Sequence, residues 1–367
     1  SRKVKKGDLF FALKGNNLDG KTFIEEAIKN GAVAVITSTN HNIKKINIPL
    51  IKVNNIAKML SNVCKKFYKY KPKNIIAVTG TNGKSSVADF FYQILSHNKI
   101  PVASIGTLGI KKNNKIKKVN LTSPDIITLH KELVAIKKSK IENVIIEASS
   151  HGLKQGRLDG LKFKAGIFTN FSQDHLDYHK NMKNYFQSKM ILFTRLLEKR
   201  NNLITDSEIK EFSKLKKIAS KKNLKTITIK KSLSTKDKQK IKLIGNFQLK
   251  NLSMSIEAAK LCGVNKVKIK SSIKKIKTIN GRLEFVKKFS DKSEIFIDYA
   301  HTPGALETAL LSLQNNFRKK ITLVFGCGGN RDIKKRFLMA KIAKEYCSKI
   351  YVTDDNPRFE KPKNIRN

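Results

Sequence analysis

Residues 74–86 read NIIAVTGTNGKSS. A short apolar run leads into a Gly-rich turn closing on Gly83, Lys84 and Ser85, and the residues that follow, VADFFYQILS, have helical spacing. Strand, glycine turn and helix in that order make a cradle for a polyphosphate. Glycines let the backbone approach the anion, N–H groups at the helix start point at it, a lysine supplies a point charge, and a serine hydroxyl can ligate Mg²⁺. The spacing G-x-x-G-K-S is two residues shorter than the common G-x-x-x-x-G-K-[ST] loop. A tight strand-to-helix turn with a solvated lysine is therefore the competing reading. The strand before, the helix after and a second hydroxyl at Ser86 favour a loop for ATP or GTP.

Around this loop the 367 residues leave room for two or three domains, at about 100–200 residues each. No apolar run approaches the roughly 18 residues of a membrane span, and no signal peptide opens the chain, so a soluble protein is expected. Cys64, Cys262, Cys327 and Cys347 are far apart, with no C-x-x-C pair. That argues against a zinc knuckle or disulfide framework and for a reducing compartment, the cytoplasm. A net charge of +48 would ordinarily suggest nucleic acid or an anionic membrane surface. Here the lysines are scattered beside Asn and Ile and are not interleaved with aromatics, as a single-strand-binding surface requires. The pattern fits a base-composition bias, and neither nucleic acid nor membrane is expected as a partner; a basic nucleic-acid-binding NTPase remains the alternative of a different class. Only ten of the 76 basic residues are arginine. A planar fork is not replaceable by lysine, which draws attention to Arg157, Arg282, Arg331, Arg336 and Arg358.

Residues 1–72 alternate β-rich runs (DLFFAL, AVAVITS, PLIKV) with helical stretches and read as a small α/β unit. YKYKPK at 68–73 is a polar joint. A second unit, 73–279, carries the phosphate loop and further buried strands at NVIIEAS and KAGIFTN, which predicts a mainly parallel sheet with ligands at its strand C-terminal ends. The Lys-rich run 206–243 reads as peripheral elaboration. A third unit, 280–367, with strands at EIFIDYA, ITLVFGCGG and KIYVTDD, is again α/β.

Glu147 ends an apolar run, placing a carboxylate at a strand's C-terminal edge in the same unit as the phosphate loop. A second hard oxygen for an ATP-bound Mg²⁺ is one reading and a surface Glu at a strand end the other. FTNFSQDHLDYH at 168–179 gathers Asp174, His175, Asp177 and His179. The His-x-x-x-His spacing admits zinc, yet the Glu that would serve as base is missing; helix capping, or metal or phosphate contact near the nucleotide, are the other readings. Lys189 lies among apolar residues of helical period, where lysines usually snorkel to the surface. Asp298, His301 and Asp355 follow strands, suiting ligand contact or capping of the next helix equally.

Taken together, TGTNGKSS, EASSHGL, FTNFSQDHLDYH, the lysine of QSKMILF, GNFQLKN, GRLE, DYAHTPGALE, FGCGGNRD and VTDDNPR stand in the order found in the Mur ligases. The chain closely resembles the MurE type, which adds meso-2,6-diaminopimelate to UDP-N-acetylmuramoyl-L-alanyl-D-glutamate. The resemblance runs from Ser1 to Arg358. It implies an ATP-dependent amide ligase of peptidoglycan precursor synthesis, acting through an acyl phosphate. The implied architecture is three-domain α/β: a UDP-sugar-binding domain (1–72), a central parallel-sheet P-loop ATPase domain (73–279) and a Rossmann-like amino-acid-binding domain (280–367).

By the same resemblance, Gly80, Thr81, Asn82, Gly83, Lys84, Ser85 and Ser86 hold the ATP phosphates, with Asn246, Arg282 and Asp298 facing ATP from the hinge and the third domain. Ser85, Glu147, His175 and Lys189 form the Mg²⁺ shell, Lys189 as a CO₂-derived carbamate, which replaces the local reading of that lysine. Catalysis is implied for Lys84, Glu147, His175, carbamylated Lys189 and Arg282. Thr122, Ser123, Ser149, Gln155 and Arg157 contact the UDP-muramoyl peptide, and Ser1, Asn16, Asn17 and Leu18 its uridine end. Arg331, Asp355, Asn356, Pro357 and Arg358 take the amino acid, with Arg358 pairing the distal carboxylate of diaminopimelate in a bidentate contact. Partners are thus the UDP-muramoyl dipeptide, meso-diaminopimelate and ATP, and a monomer is expected. A lysine-adding or folylpolyglutamate synthase-like ligase is the alternative within enzymes. The match starts inside the family's Asp-Ser-Arg motif and stops before its Gly-His-Glu segment. An incomplete third domain, weak nucleotide binding and poor ligation by residues 1–367 are therefore expected.

Overall fold

The computed structural model describes residues 3–15, 18–41, 46–229, 233–234, 237, 239–330 and 332–366. Ser1, Asn16, Asn17 and Arg331, four of the expected contacts, lie outside the described residues.

The first unit is a parallel sheet in the order β1 (Leu9–Phe11), β2 (Ala34–Ser38), β3 (Leu50–Val53). Helices α1 (Ile24–Lys29) and α2 (Ile56–Phe67) connect and follow these strands. Phe10, Ala12, Ile24, Ala27 and Val35 form its small core. Helix α2 starts where the Asn55 side chain accepts the Lys58 N–H at 2.9 Å, satisfying one of the free donors of a helix start.

The central unit carries β4 (Asn74–Thr79), α3 (Lys84–His97), β5 (Val102–Gly106), β6 (Gly109–Lys112), β7 (Lys115–Lys117), α4 (Ile126–Lys138) and β8 (Asn143–Glu147). It continues with α5 (Ser150–Lys154), β9 (Phe163–Phe168), α6 (Leu176–His179), α7 (Met182–Ile191), β10 (Leu197–Thr205), α8 (Phe212–Lys222), β11 (Lys225–Thr228), α9 (Asn246–Leu261) and α10 (Lys266–Ile273). Its strands make one eight-stranded sheet in the order β11-β10-β9-β4-β8-β5-β6-β7. The first six are mutually parallel, whereas β6 and β7 add as antiparallel hairpins. Both faces are covered, which is why β4 reads as a continuous apolar run. Ile76 and Val78 pack with Phe90, Phe91, Leu252 and Ile256 on one side. Ile75 and Ala77 pack with Leu129, Leu133, Ile136 and Phe193 on the other.

The 206–243 run is not wholly peripheral, because β11 extends the central sheet beside β10, pairing Asn202 with Lys225 and Thr205 with Thr228. An edge strand leaves most of its side chains in solvent and tolerates lysine, so KTIT shows little of the apolar pattern that marks the inner strands.

In the third unit β12 (Glu284–Lys288) pairs antiparallel with β13 (Glu294–Ile297), and β14 (Thr322–Phe325) pairs parallel with β15 (Lys349–Val352). Helices α11 (Pro303–Phe317) and α12 (Lys334–Tyr346) meet through Leu306, Leu310 and Met339, and α13 (Pro362–Arg366) follows. Thr302 caps α11 and Pro303 opens it, the positions at which each residue suits a helix start. Among the described residues no helix is long and apolar enough to cross a membrane.

Candidate active site

The turn after β4 takes conformations that demand glycine, with Gly80 at φ +140° and Gly83 at φ +83°. A Cβ at Gly80 would collide with Thr169 Oγ1, and one at Gly83 with the Asn251 amide. The turn is tied to the segment after β9. Thr81 N–H donates to Asn170 O and Asn82 N–H to Asn170 Oδ1, both at 2.9 Å, while Ser172 N–H donates to Thr81 Oγ1 at 3.0 Å. Lys84 Nζ folds over the loop, donating to Thr81 O at 2.8 Å and Gly80 O at 3.1 Å. Burial lowers its pKa, against the pull of the Glu147 and Asp174 carboxylates. Ser86 is buried in the first turn of α3.

Glu147 ends β8 next to β4 and is 2 % exposed. Ser85 Oγ donates to its Oε2 at 3.0 Å, and Thr107 donates twice, N–H to Oε1 at 2.9 Å and Oγ1 to Oε2 at 3.1 Å. Gly106 makes room for this carboxylate, since a Cβ there would overlap it. A serine hydroxyl and a carboxylate converging at a helix start are hard oxygen donors of the kind Mg²⁺ takes. Among the described residues no group of three or more His, Cys, Asp or Glu side chains is arranged to hold a metal.

Lys189 sits on α7 with 1 % exposure, its Nζ donating to Gly80 O at 2.7 Å and lying 4.3 Å from the Tyr185 ring centre. Burial, then the Lys84 charge, push its pKa well below the usual lysine range. The snorkelling reading fails because Lys189 lies on the enclosed side of α7 with Tyr185, Ser188 and Met190, while Lys183, Asn184 and Gln187 take the solvent side. His175 occupies the left-handed region at φ +54°, a strained backbone for a non-glycine residue. Its Nε2 lies 3.2 Å from Asp174 Oδ2, and burial holds its pKa down at about 3. His179 has both ring nitrogens engaged, by Ser150 Oγ at 3.0 Å and Ser188 Oγ at 3.1 Å. The zinc reading of His175 and His179 therefore lacks an open nitrogen on the second histidine.

Thr122, Ser123, Ser149, Gln155 and Arg157 form one connected network abutting Glu147. Thr122 Oγ1 lies 3.1 Å from Thr107 Oγ1. Ser123 Oγ donates to Glu147 O at 2.8 Å and lies 3.0 Å from Ser149 Oγ. Arg157 donates from one terminal nitrogen to Ser123 O at 2.8 Å and from Nε to Gln155 Oε1 at 2.9 Å, and Gln155 Nε2 reaches Tyr178 OH at 3.0 Å. Leu18 lies on the first unit with its side chain in solvent.

The third unit approaches the loop directly. Asn82 Nδ2 donates to Thr302 Oγ1 at 3.3 Å, and Gln173 Nε2 to Asp332 Oδ2 at 2.8 Å. Asp174 faces His301 Nε2 at 3.6 Å and the buried Lys335 Nζ at 3.8 Å. Burial alone would raise the Asp174 pKa; the His301 hydrogen bond and the surrounding charges of His175, His301 and Lys335 take it below the usual carboxylate range. Arg282 lies over the Tyr299 ring, and Asp298 Oδ2 accepts the Leu283 N–H at 2.7 Å. Asn246 opens α9 in a cleft with Asp206, Lys250 and Ser253. Asp355 to Arg358 lie against the loop after β14. There Gly329 N–H donates to Asn356 O at 2.9 Å and the Arg358 guanidinium to Gly329 O at 2.5 Å. Sequence reasoning missed Thr107 and Lys335, whose places at the site depend on long-range packing and which no local motif marks.

Fold and loop together define an α/β nucleotide-binding protein with its phosphate cradle at the C-terminal edge of a parallel sheet. Three family patterns match: the Mur ligase family catalytic domain over residues 1–68, the Mur ligase middle domain over 78–242 and the Mur ligase glutamate ligase domain over 281–367. The UDP-N-acetylmuramoyl-L-alanyl-D-glutamate–2,6-diaminopimelate ligase of Rickettsia prowazekii (strain Madrid E) is 40 % identical over 395 residues, covering 100 % of this chain and 81 % of its own. A solved structure of a ligase with that name superposes with a TM-score of 0.74 at 28 % identity, covering 99 % of this chain and 79 % of its own. The MurF ligase of Thermotoga maritima, solved with ADP, shares the fold at a TM-score of 0.62 and 17 % identity, covering 96 % of this chain and 82 % of its own. The chain belongs to the Mur ligase family, whose members are ATP-dependent amide ligases.

Proposed function

We propose that this chain adds meso-2,6-diaminopimelate to UDP-N-acetylmuramoyl-L-alanyl-D-glutamate at the expense of ATP, in the cytoplasm, as a monomer. The observation that carries the reading is the unbroken contact from Ser85 through Glu147 and Thr107 to Thr122, which joins the phosphate loop to the residues assigned to the muramoyl peptide. Residues 1–72, with Leu18, take the uridine end. Residues 73–279 take ATP and the dipeptide, and residues 280–367 take the amino acid.

A carboxylate is a poor electrophile, so the D-glutamyl carboxylate accepts the γ-phosphoryl group, and the resulting acyl phosphate is attacked by the amine with loss of phosphate. The protein's task is alignment and charge neutralisation. Lys84 and the loop N–H groups hold the phosphates, exchanging the carbonyl contacts Lys84 makes now. Arg282, Asp298 and Asn246 face the nucleotide, and Arg157 and Ser123 orient the dipeptide. Ser85, Glu147 and His175 would hold Mg²⁺, which when bound neutralises charge on the transferring group. Lys189 supports a carbamate reading: its amine is buried and pushed toward the neutral form that adds to CO₂, forming an N–C bond and releasing a proton. The carbamate would offer Mg²⁺ an anionic oxygen donor in place of the amine. Arg331 and Asp355 to Arg358 take the amino acid, Arg358 supplying the planar fork for a distal carboxylate.

Binding of the UDP-muramoyl dipeptide tests the reading. Calorimetry should detect binding to the unmodified chain and at least tenfold weaker binding to Arg157→Ala; equal affinities would overturn the assignment of that network.

A further inference from the structure

We infer that Thr107 is a positioning residue that fixes the Glu147 carboxylate and couples it to the site of the muramoyl peptide. The inference rests on the proposed roles of Glu147 and Thr122 and adds a residue that no motif reading picked out. Thr107 follows directly on β5, after a glycine whose missing Cβ leaves the space Glu147 occupies. Its N–H and hydroxyl each reach a different oxygen of that carboxylate, at 2.9 and 3.1 Å. Two donors from one residue fix both the torsion and the plane of the carboxylate. Glu147 Oε2 also accepts Ser85 Oγ at 3.0 Å, so the strand-end carboxylate and the helix-start hydroxyl are set relative to each other.

The third contact gives the direction of coupling. Thr107 Oγ1 lies 3.1 Å from Thr122 Oγ1. A hydroxyl has one proton and a carboxylate only accepts, so Thr107 gives its proton to Glu147 and receives that of Thr122. The chain of donation therefore runs Thr122 to Thr107 to Glu147. A substrate group that takes the Thr122 proton withdraws it from Thr107 and alters the hold on Glu147. Conversely, a cation at Glu147 weakens that carboxylate as an acceptor, loosens the Thr107 bond and leaves the Thr122 proton freer for a substrate group. Residues one contact removed from a metal ligand commonly act in this way.

The test is calorimetric binding of a non-hydrolysable ATP analogue across a Mg²⁺ titration, with and without UDP-N-acetylmuramoyl-L-Ala-D-Glu, for the unmodified chain, Thr107→Val and Thr107→Ser. Valine keeps the shape and the backbone donor and loses the hydroxyl; serine keeps the hydroxyl and loses the methyl. Thr107→Val is expected to raise the Mg²⁺ half-saturation about tenfold and to abolish its dependence on the dipeptide, while Thr107→Ser matches the unmodified chain. A valine variant equal to the unmodified chain, or a serine variant more impaired than valine, overturns the inference and leaves the site reading standing. Nucleotide binding indifferent to Mg²⁺ in the unmodified chain overturns the metal reading of Glu147, and this inference with it.

Discussion

Ser85 and Glu147, 62 residues apart in the chain, meet through a 3.0 Å hydrogen bond from the Ser85 hydroxyl to Glu147 Oε2. The contact exists because β8 lies directly beside β4, so the end of one strand faces the helix that follows the other. It brings a hydroxyl and a carboxylate to the phosphate loop from two separate motifs.

A methyl group tests how closely that carboxylate is held. Gly106→Ala places a Cβ where Glu147 lies while leaving the β5 backbone free to form its strand. Nucleotide-dependent phosphate release is expected to fall about a hundredfold or more, the scale of losing a preorganised electrostatic group, with the far-ultraviolet circular dichroism of the sheet retained. Unchanged release would mean the observed Glu147 position is not the working one.

Lys189 offers a chemical signature. Its amine is buried, with Lys84 beside it, and both effects favour the neutral form. Incubation with ¹³C-bicarbonate should give a carbamate carbonyl resonance in the unmodified chain that is absent from Lys189→Arg, whose side chain stays protonated. The same resonance in the variant would place the carbamate elsewhere.

The pH dependence of stability follows from the histidines. Burial lowers His179 from 6.5 to about 4 and His175 to about 3, and lowers His130 as well. Below pH 6.5 the unfolded chain gains protons that the folded chain refuses, so this contribution is complete above 6.5 and declines as pH falls toward 4. Each such imidazole costs up to about 1.4 kcal/mol per pH unit across that window. Urea midpoints should drop between pH 7 and pH 5, and less steeply in His179→Phe; a flat profile would contradict the burial assigned to these rings.

The proposed function gives acceptor choice to Arg358, whose guanidinium donates to Gly329 O. Arg358→Lys keeps the charge and loses the planar fork. The KM for meso-diaminopimelate is expected to rise about tenfold or more, the scale of one charge-assisted hydrogen bond, with the KM for ATP unmoved. Equal effects on both would place Arg358 outside the acceptor pocket.

The phosphate loop was legible because strand, glycines, lysine and helix are contiguous, and Glu147 because a carboxylate ending a buried run is conspicuous. Lys189 was not legible locally: an amine enclosed by a helix and the loop it touches looks, in sequence, like any lysine of an amphipathic stretch. The contacts of Asp174 with His301 and Lys335 cross between units and leave no periodic trace. Strand β11 escaped notice because lysines and threonines on a sheet edge carry little burial signal. Thr107 has no motif of its own, and only the pairing of β5 with β8 gives it a partner.

The most direct measurement is phosphate release from ATP and Mg²⁺ with UDP-N-acetylmuramoyl-L-Ala-D-Glu, comparing meso-diaminopimelate, L-lysine and no acceptor. Release stimulated by meso-diaminopimelate above the other two is the expected result. Stimulation by L-lysine instead, or equal rates with all three, would contradict the assignment of this chain as a diaminopimelate-adding ligase.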